Sequence, residues 1–168
     1  DEPQTTETEN KITLDASGNA AAGDQSTENK TAEPSTLDEL FGGENLSVTY
    51  TGAEIAANYM EGGYYSLDAE QGKTFVIVGI DITNSGADEI AIDNFAKTPK
   101  FSVMVNGQEK AEEENTILPS DFALYQETVP AGVTENTILL FQVPDSVTSV
   151  DSLDLFVNIS GTNYQITL

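Results

Sequence analysis

From residue 45 onward, large apolar side chains recur at every second position: Leu46, Val48 and Tyr50, then Val76, Val78, Ile80 and Ile82, with Phe75 and Ile77 on the other side of the same run. A period of two sends alternate side chains to opposite faces of an extended strand. The second run is apolar on both faces, which predicts the most deeply buried strand. Strands are also expected over residues 100–106 and 108–112, joined by Asn106-Gly107, a pair that tolerates the positive φ angles of a tight hairpin turn. Others are expected over residues 123–127, over residues 136–143 between Pro130-Ala-Gly132 and Pro144, over the alternating Leu153, Leu155, Val157 and Ile159, and over residues 164–168. No long stretch has helical spacing. Seven to eight short strands with turn residues between them predict an all-β, antiparallel two-sheet sandwich over residues 45–168.

Ahead of this region the pattern changes. Thr36-Leu-Asp-Glu-Leu-Phe-Gly-Gly43 sets Thr36 and Glu39 at capping-box spacing and Leu37, Leu40 and Phe41 at i, i+3, i+4. One helical turn is expected over residues 36–41, stopped by the two glycines and suited to plugging an open end of the core. Residues 1–36 hold only two large apolar side chains, Ile12 and Leu14, and no aromatic. Such a segment buries too little surface to offset its ordering entropy. Residues 1–44 therefore read as a flexible, acidic, low-complexity tether, with Lys11-Ile-Thr-Leu-Asp15 its natural contact as a short edge strand.

Composition then narrows the chemistry. The 168 residues include 29 Asp and Glu against 6 Lys, with no Arg, His, Cys or Trp, for a net charge of -23. Without Cys or His there is no disulfide, no thiolate or imidazole metal ligand, no Cys nucleophile and no His base, and no cofactor is expected. A surface this acidic repels nucleic-acid phosphate and anionic headgroups, so neither nucleic acid nor direct membrane insertion is expected. The chain starts at Asp1 with no hydrophobic leader, which reads as a processed form.

The remaining chemistry-bearing patterns are few. Asp81-Ile-Thr-Asn-Ser-Gly86 imitates the first half of a calcium loop, but its twelfth position is Ile92, so the bidentate Glu is missing. Asp88, Glu89 and Asp93 offer weak calcium binding at most. Glu112-Glu113-Glu114 supplies neighbouring carboxylates, yet neighbours on a strand point to opposite faces, whereas glycoside hydrolysis needs two acids facing one bond. No Gly-x-Ser-x-Gly elbow or Ser-x-x-Lys motif is present. Asn58-Tyr-Met-Glu-Gly-Gly-Tyr-Tyr65 places three Tyr and one Met around a Gly-Gly turn. Rings with an apolar body and a polar tip suit binding surfaces, making Tyr59, Met60, Tyr64 and Tyr65 the candidate binding residues, while packing onto the sandwich is the plainer use of one or more of them.

Two stretches carry a family resemblance. Ala69-Glu-Gln-Gly-Lys-Thr-Phe-Val-Ile-Val-Gly-Ile-Asp-Ile-Thr-Asn-Ser-Gly86, and Val129-Pro-Ala-Gly132 followed by Ile138-Leu-Leu-Phe-Gln-Val-Pro144, resemble an immunoglobulin-like domain family of unknown function in Gram-positive lipoproteins. That family is grouped with the mycobacterial secreted immunoprotective antigen fold. The resemblance implies an immunoglobulin-like β-sandwich, an extracellular location on a Gram-positive cell surface, and a membrane tether through a lipid-modified Cys upstream of Asp1. The expectation is a non-enzymatic surface module that presents the sandwich to an unknown protein or cell-surface ligand. The alternative is a lipoprotein that binds a small molecule or glycan through its Tyr-rich loop.

Overall fold

The computed structural model describes residues 32–168. The chain begins with β1 (Glu33–Pro34), α1 (Leu37–Phe41), β2 (Leu46–Ala56), β3 (Asn58–Glu61), β4 (Tyr65–Asp68), β5 (Lys73–Asn84) and β6 (Ile90–Ala91). A 3-10 turn over Phe95–Lys97 precedes β7 (Lys100–Val105), β8 (Glu109–Glu112), β9 (Thr128–Val129), β10 (Thr134–Pro144), β11 (Leu153–Ile159) and β12 (Thr162–Thr167). Seven of these strands build two facing sheets. One has the order β10-β5-β2; the other is β12-β11-β7-β8, with β1 added in parallel beside β12. The seven pair antiparallel, and successive long strands divide between the sheets as in an immunoglobulin-like sandwich.

The alternation seen in sequence places the core. Val76, Val78, Ile80 and Ile82 of β5, Leu139, Phe141 and Val143 of β10, and Phe101, Val103, Val105, Leu155 and Val157 of the facing sheet form one buried cluster. Phe75 and Ile77 turn to the other face of β5, where Leu118 and Leu140 join them in a second, smaller core. Asn106 and Gly107 both take positive φ and Gln108 N–H closes onto the Val105 carbonyl at 3.0 Å, the hairpin turn that the dipeptide predicts.

Three details differ from the sequence expectation. First, the domain starts before residue 45. The Thr36 hydroxyl accepts from Glu39 N–H while the Glu39 carboxylate accepts from Thr36 N–H, forming the capping box, but α1 is part of the main core. Leu37 and Phe41 are buried, and the Phe41 ring meets Phe101 and Phe122 at centroid distances of 5.9 and 4.9 Å. Lys97 Nζ lies 4.9 Å from the Phe41 centroid and donates to the Leu40 carbonyl at 2.9 Å, closing the helix end. Second, residues 123–127 form no strand. Phe122, Ala123 and Tyr125 are buried in a turn that fills the core, and the short pairing is Ile90–Ala91 with Thr128–Val129. Third, residues 58–65 form much of a hairpin, β3–β4, rather than an irregular loop. The tether expected over residues 1–44 lies outside the described residues up to residue 31, as does the proposed strand around Ile12 and Leu14.

Candidate functional site

The β3–β4 hairpin lies over the outer face of the β10-β5-β2 sheet. Its pairing sets Tyr59 opposite Leu67, Glu61 opposite Tyr65, and Met60 opposite Ser66. Alternation therefore separates the four candidate residues. Tyr59 and Leu67 turn inward onto the Phe75, Ile77, Leu118 and Leu140 cluster, while Met60 faces away from it and is 65% exposed. Tyr64 sits in the turn at 93% exposure, and Tyr65 at the head of β4 at 42%. One platform of three stacked rings does not form: Tyr59 anchors the hairpin, and Met60, Tyr64 and Tyr65 make its exposed tip.

What holds this tip is a polar clamp invisible in the local sequence. The Glu61 carboxylate accepts from the Ser120 hydroxyl at 2.5 Å and from Ser120 N–H at 3.2 Å. The Tyr59 hydroxyl stands 3.4 Å from the same Ser120 oxygen. Because Ser120 is more than fifty residues away in sequence, only the fold brings these groups together.

Beside Tyr59 the sheet has a shallow groove of about 330 Å³ lined by Thr51, Gly52, Glu54, Tyr59, Ile77, Gly79 and Ile138. Its floor is a row across the three strands, Gly52, Gly79 and Ile138, in which two positions carry no side chain. A bulge between Tyr50 and Gly52 lays Thr51 over Gly79, and a Cβ at Gly79 would collide with the Thr51 hydroxyl. The groove thus joins bare backbone, two Ile side chains, one Tyr ring and one carboxylate.

Behind Ser120, the structure pairs two acids. Asp121 is 3% exposed; it accepts from the Thr116 hydroxyl at 2.5 Å and from Ala123 N–H at 3.0 Å. The Glu113 carboxyl meets Asp121, and burial first, then the Asp121 charge, pushes its pKa up to about 8. Burial also raises Asp121, an effect that its hydrogen-bond donors, Thr116 first and then the Ala123 N–H, partly offset. Of the Glu112-Glu113-Glu114 run, Glu113 is the one that turns inward. The contact joins the turn at residues 116–123 to the end of β8.

The calcium candidates do not converge. Asp88 and Glu89 are exposed, while one Asp93 oxygen accepts from Ala96 N–H and the Gln126 amide, both at 2.9 Å. Among the described residues no three acids stand close enough to hold a metal ion. Asn84, within the calcium-like motif, is fully buried and donates to the Asp88 and Val129 carbonyls, so it serves the fold.

The sequence matches no protein-family model and no curated protein. Solved structures similar to it include an uncharacterized β-sandwich protein from Clostridium difficile (18% identity, TM-score 0.46), the alignment covering 75% of this chain and 87% of that one. The yjhA protein from Bacillus subtilis aligns at 16% identity with a TM-score of 0.42, over 74% of this chain and 92% of its own. The Bacillus subtilis protein ycdA, a lipoprotein candidate, aligns at 11% identity with a TM-score of 0.39, over 73% of this chain and 36% of its own.

Proposed function

We propose that the chain is a non-enzymatic extracellular recognition module, tethered to a cell surface through an upstream lipid anchor, and that the β3–β4 tip is its contact element for a protein partner. The observation that carries this reading is the contrast within one hairpin: Met60, Tyr64 and Tyr65 are exposed, while Tyr59 and Glu61 hold its inner face to Ser120. A pre-ordered tip loses little entropy on binding, and exposed Tyr combines contact area with a hydrogen-bonding end. The location and the anchor rest on the motif resemblance. Capture of partners from native cell surfaces, with the Tyr64→Ala/Tyr65→Ala protein as control, tests the contact element. At about 2 kcal/mol per hot-spot Tyr, each replacement weakens capture roughly thirtyfold. The melting temperature should change little, whereas a large melting loss with intact capture would return both rings to a structural role.

A second reading draws on the groove beside Tyr59. Its ring, Ile77 and Ile138 give an apolar wall, and Glu54 an acceptor, over a volume suited to one or two sugar units or a comparable small molecule. Saturation-transfer experiments with a glycan panel would light up Tyr59 protons if this groove is the site. Signals confined to Tyr64 and Tyr65 would leave the hairpin tip as the contact element.

A further inference from the structure

The outer face of the β12-β11-β7-β8 sheet carries a broad depression of about 750 Å³, on the opposite side of the molecule's sandwich from the hairpin. The strand registers resolve it into rows. Gln165, Phe156, Ser102 and Glu112 form the middle row; Asn163, Asn158 and Lys100 form one flanking row; Asp154, Met104 and Lys110 lie in the other. The face thus carries two large apolar side chains, Phe156 and Met104, among polar ones and holds two of the four described lysines of a chain with a net charge of -23. The other two have their own partners: Lys73 pairs with Glu70, and Lys97 caps α1. Lys110 has Glu112 at 4.0 Å, and Asp154 accepts from Thr167, but the Lys100 row contains no acid.

Ala32, the first described residue, stands at this face. Glu33 pairs with Tyr164 and Pro34 with Gln165 in parallel, and Ala32 lines the depression together with Asn163. The preceding segment carries Glu9, Asp15, Asp24 and Glu28, and its two large apolar side chains are Ile12 and Leu14. From Leu14 to Ala32 is 18 residues, a length whose coil-average reach is about 23 Å, against about 15 Å needed to cross the four strands.

We propose that this sheet face is the docking surface for the acidic N-terminal segment of the same chain, with its carboxylates against Lys100 and Ile12 and Leu14 over Phe156 and Met104. Tethering gives the segment a local concentration in the millimolar range, which free ligands rarely match. A second copy of the chain is disfavoured by the mutual repulsion of two highly negative molecules.

The test uses the full chain at low concentration with a zero-length carbodiimide, which joins amines to carboxylates only in contact. The expected product is an intrachain link from Lys100 to an acid among residues 1–31, located by peptide mass spectrometry. Its yield should fall about fivefold with Ile12→Ser/Leu14→Ser and fall again in 0.5 M salt. In parallel, Lys100→Glu/Lys110→Glu should speed cleavage after Lys11 by a lysine-specific protease about threefold or more, with an unchanged melting temperature. The proposal is overturned by absence of the link, by links found only in covalent dimers, by a yield indifferent to Ile12 and Leu14, or by unchanged cleavage.

Discussion

Two buried polar residues show how single side chains hold the connections of this sandwich in place. Asn84 donates to the carbonyls of Asp88 and Val129 at 2.8 and 2.9 Å and accepts from Gly86 N–H at 2.8 Å, so one amide satisfies three backbone groups. Asn84→Leu leaves them unpaired, and urea denaturation should show a loss of about 2 to 3 kcal/mol; a change near zero would mean that water replaces the amide. Glu113 makes a pH-dependent case. Its pKa rises from the 4.5 of an ordinary Glu to about 8 in the folded chain, because its carboxyl is buried against Asp121. The folded state therefore holds this proton more tightly than the unfolded chain does. The resulting stability is fully present below pH 4.5 and is lost as pH climbs through about 8. Melting temperatures measured across that window should decline for the native chain, and the decline should be shallower for Glu113→Gln, which keeps the shape without the charge. Parallel curves for the two proteins would show that Glu113 does not titrate against Asp121. Neither role was legible in the sequence: Asn84 sits in a motif that imitates a calcium loop, and Glu113 is indistinguishable from its two acidic neighbours until the fold sets it against Asp121.

At the level of elements, legibility followed the range of the contacts. The α1 capping box, the Asn106-Gly107 turn and the two-faced burial of β5 depend on residues near one another in sequence, and each could be read from spacing. The strand expected over residues 123–127 failed because Phe122, Ala123 and Tyr125 are buried without pairing, and apolar spacing alone cannot separate those cases. The β3–β4 hairpin was legible as a Gly-Gly turn among tyrosines, but its register was not, since Leu118, Leu140 and Ser120 supply its docking surface. This arrangement yields a prediction for the element as a whole. Ser120→Ala leaves the Glu61 carboxylate and Tyr59 hydroxyl without their shared partner, so hydrogen exchange of β3 and β4 amides should accelerate about tenfold or more while β5 stays protected. Uniform acceleration would instead mark Ser120 as a determinant of global stability. The placement of α1 makes the other element-scale prediction. Phe41→Ala removes a ring packed on Phe101 and Phe122 and should cost about 3 to 4 kcal/mol, well beyond what a tether residue could cost.

For the molecule as a whole, the dominant quantity is charge. Only two salt bridges occur among the described residues, Lys73 with Glu70 and Lys110 with Glu112, so most of the 29 carboxylates have no cation beside them. Their field is felt locally: the Tyr125 hydroxyl is pushed up to about 12 by burial first, and then by Glu135 and Glu127. Stability must come from the two apolar cores, against self-repulsion that grows when the chain is compact. Screening relieves that repulsion. At 0.01 M salt the Debye length of about 30 Å spans the domain, and at 0.15 M it shrinks to about 8 Å, leaving near neighbours alone coupled. Raising sodium chloride between those limits should therefore raise the melting temperature by several degrees, since about 1 kcal/mol corresponds to about 2 to 4 °C for a chain of this size. The same experiment separates screening from site binding. Calcium chloride at matched ionic strength should give a modestly larger rise, because a divalent ion condenses more strongly on a negative surface, but without saturating at one equivalent. A sharp stoichiometric step would reveal a calcium site that the scattered positions of Asp88, Glu89 and Asp93 do not provide, and would overturn the account of this chain's acidity as a diffuse surface property.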